Sequence, residues 1–476
     1  MSETHEYDVV VIGAGPVGEN VAQYAIEGTD LTAALVEGEL YGGECSYWAC
    51  IPSKALLRPI AVADTTAHLQ GVATAEVEPE GLLARRDFWV GGRDDTGQVR
   101  WAEGLGITAV RGHARLVGER EVEVTGEGGP HRLRARHAVV LATGSEPVVP
   151  PPLADVHPWG SRDATAVTEV PGRLVVVVGG GVVAVEAATW MAALGSEVTV
   201  LVRGETLLAG QEPFAGSVVA QALQAKGVDV RFSTSATGCR RPDARNTGVG
   251  RVHGGPVTVV TDDGEVEADE VLVATGRHPR LGDVGLDAVG LTPDDVLEGR
   301  LPEWLHAVGD ASGEAPLTHW GKYRARVLGD AIAAAATGRG PLPVPDGAPV
   351  PQVVYTDPAG GAGRDDRGGG TRGRVRRRGG GGPLRAGRRG RPAARRRPRS
   401  GETRRRPEGR AGPWSNLRRD GRRPAAARRD DRDHRAGAGP PAAARGAELP
   451  RRHRGVAAPA RGPAGRPAAP LTEVSR

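Results

Sequence analysis

The chain has 476 residues, three cysteines and a net charge of +4. That length leaves room for two or three domains with proper cores, and so few cysteines exclude a disulfide-stapled scaffold and favour a reducing compartment. The N-terminus, Met1 to Tyr7, is short, polar and acidic with no apolar signal core, and no apolar run reaches membrane-spanning length; the expectation is a cytoplasmic protein without a membrane partner.

The charge is divided. Residues 359–476 hold 34 Arg, no Lys and 10 acids, a net of +24, which leaves 28 basic and 48 acidic residues before them, a net of −20. Two kinds of sequence share one chain.

In chain order, Tyr7 to Ile12 reads as an apolar strand, followed by Gly13-Ala14-Gly15-Pro16-Val17-Gly18 and a helical stretch to about Ile26. This is G-x-G-x-x-G in the strand-turn-helix setting that gives it meaning. Gly13 permits the tight turn, Gly15 lets a pyrophosphate approach the backbone, Gly18 lets helix pack on strand, and the helix N-terminus meets the phosphates. A second strand, Leu31 to Val36, ends at Glu37, where an acid suits a ribose hydroxyl.

Residues 42–54 read Gly-Gly-Glu-Cys-Ser-Tyr-Trp-Ala-Cys-Ile-Pro-Ser-Lys. Pro52 fits the first turn of a helix, so Cys50 sits near a helix N-terminus, where unpaired N–H groups and the macrodipole favour a thiolate. Cys45 and Cys50 read as a reactive pair, as two buried thiols acting as small hydrophobes, or as half of a metal site. The last lacks ligands: the only other thiol is Cys239, and no metal is expected.

Between about 60 and 135 the pattern is mixed, and strands are predicted only near Ile107 to Val110 and Arg115 to Val117. A strand at His137 to Leu141 then leads into Ala142-Thr143-Gly144-Ser145, a small-residue turn that a cofactor backbone could approach. The plan next repeats. Leu174 to Val178 is a strand, Gly179-Gly180-Gly181-Val182-Val183-Ala184 is G-x-G-x-x-A, Glu186 to Leu194 reads as helix and Glu197 to Val202 as strand. Glu270 to Val273 leads into a second Ala-Thr-Gly ending at Gly276. Two fingerprints predict an α/β chain with two Rossmann-like domains, and a hydride carrier feeding an electron carrier is the natural use of two sites. After the second, Leu201-Val202-Arg203-Gly204 puts a cation where an NAD site would carry an acid, which favours NADPH over NADH; the other reading of Arg203 is a solvated surface charge.

Together the two fingerprints, Cys45 to Cys50 with the following Ile-Pro-Ser-Lys, both Ala-Thr-Gly turns and Ala307-Val308-Gly309-Asp310 resemble the flavin-dependent pyridine nucleotide-disulfide oxidoreductases, over residues 7 to about 358. The resemblance implies FAD at the first site, with Glu37 on the adenosine ribose, Lys54 near the flavin ring and Asp310 on the ribityl chain. It implies NAD(P)H at Gly179 to Glu186, Cys50 against the flavin, Cys45 exchanging with a small-molecule or protein disulfide, and a homodimer. The expected division is an FAD-binding domain in 1–150 and 276–345, an NAD(P)-binding domain in 151–275, and the start of a dimerisation domain in 346–358. A quinone or other soluble acceptor with idle cysteines is the alternative within the fold. Two features depart from the family pattern: Tyr47, Trp48 and Ala49 replace a smaller, more polar spacer, and Glu44 stands where Thr is usual. A carboxylate beside Cys45 disfavours its thiolate.

From Ala359 onward there is no Phe, Tyr, Ile, Met, Cys or Lys, which predicts a disordered Arg/Gly/Pro/Ala-rich tail in place of the dimerisation domain. One reading is an arm that grips nucleic acid. The favoured one is a shifted reading frame, which makes nucleic acid an unlikely partner. With suitable codons, removing one base turns DPAGGAGRDDR at 357–367 into DPEVARVGMTE, which resembles the family's continuation, and residues 448–450 and 455–461 conceal Ser-Tyr-Pro and VWLRLL in the same frame.

Overall fold

The computed structural model describes residues 4–127, 129–178, 181–344, 350–356 and 358–362. Strand β1 (Thr4–Ile12), helix α1 (Pro16–Ile26) and strand β2 (Ala33–Glu37) form the first β-α-β unit. The second strand starts two residues later than the apolar run predicts, because Asp8 accepts hydrogen bonds from both the backbone N–H and the hydroxyl of Thr32, each at 2.8 Å. Helices α2 (Gly43–Tyr47), α3 (Cys50–Ala67), α4 (Pro79–Trp89) and α5 (Thr96–Gly104) follow. The last two were not foreseen: α4 buries only Leu82 and Arg86, and α5 only Ala102, so neither carries an apolar stripe that periodicity could reveal.

Strands β3 (Ile107–Arg111), β4 (His113–Gly118), β5 (Glu121–Gly126) and β6 (Gly129–Leu141) complete most of a seven-stranded sheet in the order β3-β2-β1-β6-β5-β4. β1 runs parallel to β2 and β6, whereas β4, β5 and β6 pair antiparallel. The N-terminal half of β6, Pro-His-Arg-Leu-Arg-Ala-Arg, alternates exposed bases with buried Leu133 and Ala135, a period of two that its charge conceals.

After β7 (Ser145–Pro147) and α6 (Ser161–Thr165), the plan recurs as β8 (Arg173–Val178), α7 (Val182–Ala193), β9 (Glu197–Val202), α8 (Pro213–Ala225) and β10 (Asp229–Arg231). Helix α7 begins four residues before the predicted start; its Val-Val-Ala-Val opening is poor helix by propensity, but Ala184 and Val185 are buried and tertiary packing decides. An antiparallel trio, β11 (Ala236–Arg240), β12 (Val257–Thr261) and β13 (Gly264–Ala268), precedes β14 (Glu270–Ala274), which joins a parallel sheet in the order β10-β9-β8-β14.

Strand β15 (Arg277–Pro279) pairs with β7, and after α9 (Pro293–Leu297) strand β16 (Leu305–Ala307) returns to the first sheet beside β6. Helix α10 (Thr318–Thr337) then packs on α1, and β17 (Gln352–Val354) pairs with β18 (Gly360–Ala362).

The parallel part of the first sheet buries both faces. Val9, Val11, Leu35 and Val140 pack with Val21 and Ala25 of α1 and Ile332 of α10, while Val10, Ile12, Val36 and Leu141 face Leu116, Val122 and Leu305. The second core surrounds β8 and α7 and takes in Trp159, Trp190 and Leu56 of α3.

Candidate active site

Sheet register brings the predicted motifs to one edge. Ile12 pairs with Val36 and with Leu141, and Leu141 with Ala307, so Gly13, Glu37, Ala142 and Val308 leave the first sheet at one level. In the second sheet Val178 pairs with Val202 and Ala274, which sets Arg203 and Thr275 at the level where β8 ends. Carboxyl ends of parallel strands, at a change of strand order, are where such sheets bind ligands.

A cavity of about 1100 Å3 opens there. Its wall contains Gly13, Gly15, Glu37, Cys45, Cys50, Lys54, Thr143, Gly144, Gly181, Glu186, Gly276 and Asp310. Gly18, Ala184 and Gly309 are not part of that wall, although Gly18 and Gly309 pack against Gly13 and Val17, which are, and Arg203 is exposed at the end of β9. Gly179 lies outside the described residues.

The first fingerprint fits a dinucleotide. Gly13 has φ +100°, and a side chain there would strike the carbonyl of Ala142; a Cβ on Gly18 would strike the carbonyl of Gly13; a Cβ on Gly15 would meet nothing within 4 Å, leaving the backbone open to the cavity. Glu37 accepts from the backbone N–H of Ala14 and of Glu39, each at 2.8 Å, and so braces the turn it follows; burial raises its carboxyl above the ordinary value. Asp310 accepts from Ser145 Oγ at 2.6 Å, and Arg277 donates to the same hydroxyl at 2.9 Å. Thr143 donates its hydroxyl to the carbonyl of Arg280 at 2.7 Å, which fixes the Ala-Thr-Gly turn.

The cysteine segment rests on that turn, for a Cβ on Gly43 would come within 2.8 Å of Gly15 Cα. Cys45 lies in α2, and Cys50 is the first residue of the 18-residue α3. Both are free thiols in the wall of the cavity. Cys50 Sγ also lies 3.3 Å from the hydroxyl of Thr318, the first residue of α10. Donation by Cys45 foremost, then by Thr318, with Lys54 nearby, brings the Cys50 thiol down to about 6 against the opposing effect of burial. Cys45 is correspondingly pushed far up, first by donating to Cys50 and then by burial. Of the two thiols Cys50 is therefore the one that ionises first, while Cys45 keeps its proton.

Lys54 and Glu186, from different β-α units, form an ion pair at 3.0 Å. Lys54 Nζ also donates to Ser53 Oγ at 3.2 Å and lies 4.5 Å from the centre of the Tyr355 ring, while the second oxygen of Glu186 accepts from the Tyr355 backbone N–H at 3.0 Å. Glu44 does not leave a free carboxylate beside Cys45. Arg162 pairs with it at 2.5 Å, and the raised Cys45 thiol owes its shift to Cys50 and burial.

Sequence reasoning missed Thr318, Tyr355 and Arg162. The acid at Glu44 signalled that a cation should be near, but nothing local singles out Arg162 among the 62 bases.

No helix among the described residues is long and apolar enough to cross a membrane. The segment that carries the nucleic-acid and shifted-frame readings lies outside the described residues except for 358–362, as do 345–349 and Asp357 at the start of the expected third domain.

Comparison with known proteins supplies the family. Residues 7–321 match the family described as pyridine nucleotide-disulphide oxidoreductase. The dihydrolipoyl dehydrogenase of Haloferax volcanii is 34% identical over 371 residues, covering 74% of each chain. A mercuric reductase of Shigella flexneri is 32% identical over 380 residues, covering 74% of this chain and 62% of its own. Among solved structures, the HOCl-induced flavoprotein disulfide reductase RclA from Escherichia coli is similar in fold, with a TM-score of 0.60 at 23% identity over 74% of this chain and 76% of that one. The protein is an FAD-dependent oxidoreductase that links a pyridine nucleotide to a disulfide, and it belongs to the pyridine nucleotide-disulphide oxidoreductase family.

Proposed function

We propose that electrons enter from NADPH, reach the Cys45–Cys50 pair through FAD, and leave to a disulfide substrate in the manner of a dihydrolipoamide dehydrogenase. The observation that carries this reading is the pair itself, two free thiols in the wall of the cavity that also bears the first fingerprint and both Ala-Thr-Gly turns. Gly13, Gly15, Gly18, Glu37, Thr143, Gly144, Gly309 and Asp310 would hold FAD, with Lys54 beside its ring, and residues 179–186, Arg203 and Gly276 would hold the nicotinamide nucleotide. FAD and NAD(P) domains then divide the chain as 1–150 with 276–345, and 151–275. When bound, FAD supplies a two-electron relay between pyridine nucleotide and thiols.

The exchange step uses the chain's own sulfurs. Cys45 passes its proton to Cys50, and its thiolate attacks one substrate sulfur, forming a mixed disulfide and expelling the other sulfur as a thiolate. Cys50 gives up the proton to that leaving thiolate and attacks Cys45 Sγ, closing the Cys45–Cys50 disulfide and releasing the second substrate thiolate. Two electrons have then passed to the substrate.

Single cysteine variants test the assignment. Cys50→Ser should abolish a long-wavelength thiolate-to-flavin absorption band in the reduced protein while FAD stays bound, and Cys45→Ser should keep that band and lose disulfide reduction. Acceptor turnover that survives both changes would refute the cysteine route.

A further inference from the structure

Arg162 lies at the junction of three segments that meet over the cysteine loop. Its Nε and Nη2 both reach Glu44 Oε1, at 2.6 and 2.5 Å, immediately before Cys45 in the chain, and Nη2 also donates to Glu39 Oε2 at 2.9 Å, two residues past the proposed ribose acid. Its guanidinium lies 5.3 Å from the centre of the Trp48 ring, which Arg93 also approaches, at 4.4 Å. Three residues on, Thr165 Oγ1 donates to the Trp48 carbonyl at 2.7 Å. Arg162 is itself part of the cavity wall beside Cys45 and Trp48.

Glu44 and Trp48 are two of the residues by which this loop departs from the family pattern, and Arg162 answers both. An unpaired carboxylate next to a thiol raises the cost of ionising it, and a large ring in a short spacer between two cysteines needs a surface to lie on. Side chains here are partly shielded, with 28% of Arg162 and 27% of Glu44 exposed, so the pair is not merely a solvated surface contact.

We propose that Arg162 is a positioning residue for disulfide exchange: it cancels the charge of Glu44 beside Cys45 and seats Trp48, so that Cys45 can ionise and attack. This rests on Cys45 being the exchange thiol, but the test does not depend on substrate turnover.

The experiment follows alkylation of Cys45 by iodoacetamide against pH in the full-length, flavin-loaded protein, in a Cys50→Ser background that removes the competing thiol, with Cys239 separated by peptide mass. Arg162→Gln should raise the pH midpoint by about one unit and slow alkylation at neutral pH about tenfold, the factor that corresponds to one pKa unit. Adding Glu44→Thr should restore the midpoint, which a purely structural role of Arg162 would not allow. Glu44→Thr alone, which leaves the Glu39 and Trp48 contacts of Arg162 in place, should lower it and serves if Arg162→Gln fails to fold. An unmoved midpoint in Arg162→Gln, an absent rescue, or no fall in Glu44→Thr overturns the proposal. Disulfide turnover that survives Cys45→Ser while the midpoint still moves would instead refute the exchange assignment and leave the charge pairing standing.

Discussion

Cys50 owes its character to position: one residue earlier it would leave the first turn of α3 and the reach of Thr318. In the reduced protein the ultraviolet absorbance of its thiolate should persist at neutral pH and fade as pH falls through about 6. Cys45→Ser should move that midpoint upward, because it weakens the largest stabilising donor; a midpoint near an ordinary thiol value in the unmodified protein would contradict this order of ionisation. Glu19, in the first turn of α1, makes an opposite case. Its Oε1 is buried without a hydrogen-bond partner, and burial raises its carboxyl to about 7, with Lys322 opposing and Glu37 adding to the shift. Below the ordinary value of 4.5 both folded and unfolded chains hold this proton; between 4.5 and about 7 the unfolded chain loses it first, so folding stability falls across that window and the loss is complete above it. Glu19→Gln should therefore stabilise the protein at pH 8 by at most about 3 kcal/mol and change little at pH 4, measured by thermal unfolding at the two values.

At the level of elements, each β-α unit delivers its strand end and helix start to the same cavity edge, and this constrains what Arg203 can touch. It follows β9 directly, level in register with the strand that precedes the second fingerprint, and no acid replaces it there. NADPH should give a lower KM than NADH, and Arg203→Glu should reverse the order. A preference for NADH in the unmodified enzyme would demote Arg203 to a surface charge. Strand β17 is the element that closes the site from the far end of the chain. Its Val354 is 1% exposed within the core that contains Leu56 and Trp190, and the neighbouring Tyr355 backbone holds Glu186. Val354→Ala should cost about 2 kcal/mol by loss of buried methyl groups, and should also loosen the Lys54–Glu186 pair, seen as a changed flavin spectrum. An unchanged melting temperature would show that β17 does not contribute to this core.

At the level of the molecule, the second sheet is tied to the antiparallel trio by a fully buried ion pair, Arg241 with Glu270 at 2.8 Å, both side chains at 0% exposure. Arg241 Nη1 donates to the carbonyls of Val156 and His253 and Nη2 to that of Asp269, while its buried Nε has no partner, and Glu270 accepts from the His253 backbone N–H. Breaking it on one side, as in Glu270→Leu, should destabilise by about 3–5 kcal/mol, because a charge is then left unpaired in the interior. Replacing both partners with apolar residues of similar volume should cost less, and calorimetry on the single and double variants separates the two cases.

Much of the site could be read from the residues alone, since a fingerprint is local. Gly13 and Gly18 must be glycine because a side chain at either would strike backbone in the turn, Gly15 leaves the backbone open to the cavity, Pro52 sets where α3 starts, and the repeat of the whole arrangement announces two nucleotide sites. Strongly apolar strands such as 174–178 and 197–202 were equally legible. Helices α4 and α5 were not, because a helix that buries one or two side chains has no stripe to display. What the tertiary structure decided is pairing between distant segments: Lys54 with Glu186, Cys50 with Thr318, Glu44 with Arg162. A sequence states which charges and donors exist, but the partner of each depends on which strand ends the sheet register brings level. That register is set by burial over the whole core, and it carries no mark on the individual residue.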